Sequence, residues 1–145
     1  MFTSDLYDFI DLDHSIVHSS KNVVLSMNGT FTDASLLRLA RLPNKDILFN
    51  CLLWEHDGIV DHIKYWIKNR KSVGTKSSFL FASHRLPRVL FKLWQQFNDT
   101  NLQEMDERSI SSFTIPINSQ SKICVYGVDE PKRLVVEVLS AMESI

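Results

Sequence analysis

Short β-branched or apolar runs alternate along this chain with segments whose apolar residues recur at helical spacing, and that alternation limits the available folds more than any other feature. Asn22 to Met27 (NVVLSM) reads as a strand closed by the Asn28-Gly29 turn. Leu36, Leu37 and Ala40 then share one helical face, with Thr32 or Asp33 as a cap and Pro43 as a stop. Asp46 to Leu53 (DILFNCLL) is apolar on both alternations, as a central strand covered on both faces would be. Ile59, Val60, Ile63, Trp66 and Ile67 recur at helical spacing opposite Asp61, His62, Lys64, Lys68 and Arg70, which predicts an amphipathic helix leaving at Gly74.

Phe79 to Ala82 reads as a further strand, and Pro87 opens a helix that carries Val89, Leu90, Leu93, Trp94 and Phe97 on its apolar side. Residues 98 to 112 read as a polar loop, Phe113 to Ile117 as a short extended piece limited by Pro116, and Ile123 to Val128 as a last strand. Leu134, Val135, Val138, Leu139 and Met142 again fall at helical spacing behind Asp129 and Pro131, so a terminal helix is expected. An edge strand or loose hairpin is expected over Leu6 to Leu12 and Ser15 to Val17. Parallel neighbours require crossover connections, so the expected architecture is one α/β domain over residues 1–145 with a mixed central sheet flanked by helices.

Composition narrows the function. Sixteen Lys and Arg against seventeen Asp and Glu give a formal net charge of -1, leaving no global basic field for nucleic acid. No apolar run reaches the roughly 20 residues that span a bilayer, and residues 1–13 carry acids where a secretory signal carries Lys or Arg, so a cytoplasmic protein with no membrane contact is expected. Cys51 and Cys124 lack CxxC or histidine spacing and are expected to be buried thiols. Four glycines, none spaced as GxGxxG or GxxxxGK[ST], exclude the familiar nucleotide-phosphate loops.

The densest polar group is Glu55-His56-Asp57-Gly58 followed by Asp61-His62, at the C-terminal end of the expected central strand, where open α/β sheets bind ligands. His56 and His62 are six positions apart, unlike the i, i+4 pair of a zinc helix, so no metal is expected; Asp57 reads as a helix cap and His62 as a solvated side chain. Ser83-His84 is adjacent in sequence, which does not define a catalytic triad.

Residues 22 to 97 resemble a STAS domain, the fold of bacterial anti-sigma factor antagonists and of the sulfate-transporter tail. Asn28-Gly29, Glu55-His56-Asp57-Gly58-Ile59 and Gly74 fall where that family has a Gly-containing turn, an Asp-Ser-Ser-Gly-Leu-like helix start and a Gly before the next strand. The resemblance implies a non-enzymatic regulatory module without cofactor, binding another protein through Glu55, His56, Asp57, Gly58, Asp61 and His62, with a homodimer possible and an antiparallel N-terminal strand in the sheet. In that family a Ser at the helix start is phosphorylated; residues 50 to 71 contain no Ser or Thr, and Asp57 stands in its place with a fixed charge.

A second resemblance is to response-regulator receiver domains, with five parallel central strands. DILFNCLLWEHDGIVDHI and VYGVDEPKRLVVEVLSAM are similar to its central and last strand-helix passages. On that reading Asn50 takes the phospho-acceptor position and Tyr126 the invariant Lys position, which implies a pseudo-receiver acting as an adaptor without phosphoryl chemistry. Element order favours the STAS-like reading, because residues 1–21 hold strands more comfortably than a strand and a full helix.

Overall fold

The computed structural model describes residues 2–6, 21–27, 39–50, 56–80, 85–97, 112–128 and 132–143. Its strands are β1 (Phe2–Leu6), β2 (Asn22–Met27), β3 (Asp46–Asn50), β4 (Lys76–Leu80), β5 (Ser112–Pro116), β6 (Ser121–Val128) and β7 (Arg133–Ser140). Its helices are α1 (His56–Lys68), between β3 and β4, and α2 (Leu86–Phe97), between β4 and β5. The seven strands form one mixed sheet of order β1-β2-β3-β4-β7-β6-β5, parallel from β1 to β4 and antiparallel from β4 onward.

Neighbouring parallel strands taken in sequence order, each reached by a right-handed crossover, place their connections on one face. Burial follows that rule. Val23, Leu25, Ile47, Phe49, Ser77 and Phe79 are buried on the helix side of β2, β3 and β4, and Ile123, Val125, Leu134, Val136 and Val138 continue the same face across β6 and β7. Helix α2 contributes Leu86, Val89, Leu90 and Leu93 to this core. A Cβ on Gly127 would come within 3.2 Å of Leu86, so β6 admits α2 closely there.

Four expectations change. The terminal helix is strand β7, because RLVVEVLS places Leu134, Val135, Val138 and Leu139 at helical spacing while Leu134, Val136 and Val138 also alternate; its β-branched valines favour the pleated sheet, where Leu134, Val136 and Val138 face the helices. Among the described residues, strand β3 carries helix cover on one face, where Ile47 and Phe49 are buried, while on the other Leu48 is half-buried and Asn50 exposed. The first strand pairs parallel with β2, and the antiparallel strands lie at the C-terminal end of the chain instead. His62 is not solvated but belongs to the core, 2% exposed. The expected elements within 7–20, the first turns of the helix ending at Ala40, Cys51 and the 98–111 loop lie outside the described residues.

His62 sits three residues after Ile59 and four before Trp66, on the stripe that α1 turns toward the sheet. Its ring meets Phe49 and Phe79 edge-on, with centroids 6.0 and 5.6 Å away, and tilts against Trp66 at 4.8 Å. Phe49 and Phe79 stack at 5.0 Å across β3 and β4. The Nε2 atom pairs with Ser77 Oγ at 3.2 Å, while no hydrogen-bond partner reaches Nδ1 among the described residues. Burial, reinforced by the nearby Lys71 ammonium, lowers the imidazole pKa to about 3, so the ring is neutral in the folded protein.

The exit from α1 is fixed by backbone geometry. Lys71 N–H donates to Trp66 C=O and Arg70 N–H to Ile67 C=O, the two bonds of a Schellman turn, with Arg70 at φ 48°. Lys71 then donates from Nζ to Leu42 C=O at 2.8 Å, tying the helix end to the segment before β3; its pKa is lowered by burial and by Lys45.

Two outcomes follow from this packing. Arg70→Gly should raise stability by about 0.5–1 kcal/mol in urea unfolding, because glycine carries no Cβ penalty in the left-handed region. An unfolded imidazole titrates near 6.5 and the folded one near 3, so the unfolded chain binds the extra proton between those values, and the stabilisation from this group is complete above 6.5 and falls as pH drops. Between pH 7.5 and 5.5 the wild type should lose about 1.4 kcal/mol more than a His62→Gln variant, whose amide does not titrate. Equal losses in the two proteins, read from urea curves at both pH values, would count against a neutral buried ring.

Candidate functional site

The polar group singled out at the start of α1 does not form one surface among the described side chains. Gly58 is buried, Asp61 is exposed, and His62 points into the core. His56 and Asp57 contribute backbone to the first turn, and Glu55 lies outside the described residues. The sequence hid this because His62 stands between Asp61 and Lys64, which are both exposed, and only its spacing to Ile59 and Trp66 marks it as inward-facing.

Asn50 and Tyr126 do not converge either. Asn50 ends β3 and Tyr126 lies in β6, with β4 and β7 between them and a further rung of offset, which places their backbones on the order of 15 Å apart. Tyr126 is engaged locally: its hydroxyl donates to Glu137 Oε2 at 2.6 Å, and burial together with that carboxylate raises its pKa.

The structure instead presents a groove of about 340 Å³ on the face of the sheet opposite α1 and α2. Its floor follows from strand alternation. Asn22, Asp46 and Lys76, the first residues of β2, β3 and β4, form one cross-strand row that continues to Glu137 on β7. Val24, Leu48, Ser78 and Val135 form the next row, and Arg133 on β7 lines the groove one rung further on. Lys76 Nζ lies 3.6 Å from Asp46 Oδ2, an exposed pair that organises the row more than it stabilises the fold. Val24 and Leu48 are half-buried, so a short apolar strip runs beside alternating charge.

Beyond the groove, the same face carries Cys124, a buried free thiol whose pKa is raised chiefly by burial, as expected for a structural rather than reactive cysteine. No group of three or more His, Cys, Asp and Glu side chains gathers in metal-binding geometry among the described residues. No helix among them is long and apolar enough to cross a membrane. Sequence reasoning missed the groove because β3 read as apolar on both sides; the usable signal was Asp46, Lys76 and Ser78 at alternate positions of adjacent strands.

Comparison with curated proteins and with solved structures returns no match. One family model, described as a domain of unknown function (DUF3557), matches residues 2–83, which takes in β1 to β4 and α1. The match spans more than half of the 145 residues and coincides with the parallel half of the sheet, and the chain belongs to the DUF3557 family.

Proposed function

We propose that this protein is a non-enzymatic interaction module of regulatory type that docks a segment of another protein on the face of its sheet opposite α1 and α2. The carrying observation is the groove over β2, β3, β4 and β7, which joins a half-buried Val24 and Leu48 strip to a row of alternating charge. Protein surfaces that bind other proteins combine apolar centres with polar rims in this way. The groove opens where β2, β3 and β4 begin, whereas open α/β sheets that perform chemistry bind ligands beyond the carboxyl ends of their strands.

The partner segment is one that offers apolar side chains flanked by charges of both signs, matching Leu48 and Val24 between Asp46, Lys76 and Arg133. This reading keeps the interaction role implied by the STAS-like pattern and moves the contact away from α1. Lys76 and Arg133 on the rim steer encounter, so partner association should slow with salt.

A partner captured from the native cell and then purified provides the test. Leu48→Glu should weaken its binding at least about tenfold, since a carboxylate replaces the apolar centre of the contact. Asp61→Arg, on the exposed side of α1, should change affinity less than about twofold. Loss of binding in Asp61→Arg with full retention in Leu48→Glu, both proteins giving wild-type unfolding curves, would return the contact to the start of α1.

A further inference from the structure

We infer that edge strand β5 is a self-association site through which two copies of this chain join their sheets antiparallel, about a two-fold axis at Thr114. The argument starts from hydrogen-bond parity. Ile117 N–H donates to Ser121 C=O, and the β5–β6 register runs in step from that pair to Ile115 with Ile123 and Phe113 with Val125. On the other side of β6, Ala141 N–H donates to Gln120 C=O, so the even residues of β6 face β7 and its odd residues face β5. The two assignments agree. Phe113 and Ile115 therefore spend their main-chain groups on β6, while Ser112, Thr114 and Pro116 direct theirs away from the sheet.

These three outward residues are exposed, whereas Phe113 and Ile115 are buried on the helix side. Proline is confined to edge positions where no ladder donor is needed, and Pro116 stands at one. A strand with donors at Ser112 and Thr114, and acceptors at all three outward positions, is complementary to its own antiparallel copy. Thr114 exchanges both main-chain bonds with its symmetry mate, and Ser112 N–H in each protomer meets Pro116 C=O in the other. Only the two bonds that would need a proline N–H are missing. Thr114 also faces Thr114 across the axis, a favourable cross-strand pair.

The same proline keeps the contact short and reversible, and two-fold pairing uses up the β5 edge, so it closes at a dimer rather than propagating. An axis perpendicular to the sheet sets both groove-bearing faces on one side of a continuous fourteen-stranded sheet, so a dimer offers two grooves to a bivalent partner. The inference itself does not depend on the groove.

Sedimentation equilibrium of the full chain, from about 5 to 500 µM, tests it. The wild type should show a reversible monomer–dimer equilibrium within that range. Thr114→Pro removes an outward N–H that the β5–β6 ladder does not use; it should weaken dimerisation at least about tenfold and leave the near-ultraviolet circular dichroism unchanged. Pro116→Thr restores the two missing donors and should tighten the dimer several-fold, which keeps the test decisive if Thr114→Pro disturbs the fold. A wild type that is monomeric throughout, or a Pro116→Thr variant that associates no better than wild type, would overturn the inference.

Discussion

A parallel strand cannot be reached by a tight hairpin, and this constraint shapes the whole molecule. Strands β1 to β4 lie side by side in sequence order, and the connection from β3 to β4 carries α1 across the buried face of the sheet. Helix α1 covers β3 and β4 on that face, and its His62 and Trp66 close over the stacked Phe49 and Phe79. No described helix lies on the opposite face of the parallel half, where Val24 and Leu48 are half-buried and Ser78 is buried.

The C-terminal half obeys a different economy. After α2 the chain enters at the far edge and returns by hairpins, β5 to β6 to β7, until β7 pairs antiparallel with β4. The longest pairing in the sheet is β6 with β7, eight residues in register. The two halves share one continuous core under α1 and α2, so the break at β4 and β7 is one of strand direction only. The family match ends with the parallel half, at residue 83, where strand direction is about to change.

How much of this was legible depends on whether periodicity discriminates. Helix α1 announces itself through Ile59, Val60, Ile63, Trp66 and Ile67, and α2 through Pro87 at its first turn. Strands β2, β3, β5 and β6 appear within a few residues of where their composition puts them. Strand β7 fails because Leu134, Val135, Val138 and Leu139 fit a period of 3.6 while Leu134, Val136 and Val138 fit a period of 2, and the local pattern does not choose between them. The deciding information is non-local: pairing with β6 and β4 is worth more to those valines than an isolated helix would be. The same failure hides the candidate site, since a groove on a sheet face is a property of register between strands and no single strand carries it. His62 illustrates the reverse case, where polarity suggested the surface and spacing to Ile59 and Trp66 gave the correct face.

Sheet faces and sheet edges recognise differently, and this chain offers one of each. On the proposed reading, the face opposite α1 and α2 meets its partner through side chains, so specificity would reside in the order Asp46, Lys76 and Glu137 beside Val24, Leu48 and Ser78, and a single charge reversal would alter it. The β5 edge offers main-chain groups that are the same in every protein, so whatever specificity it has must come from where donors are absent. Pro116 supplies that absence at one end of a five-residue strand, which restricts the registers in which another strand fits without leaving a carbonyl unpaired. A long edge with every donor present would accept almost any extended chain and would be an aggregation hazard. One proline in a short strand removes a donor from an otherwise indiscriminate edge, and in the self-complementary register about Thr114 four of the six possible main-chain bonds remain.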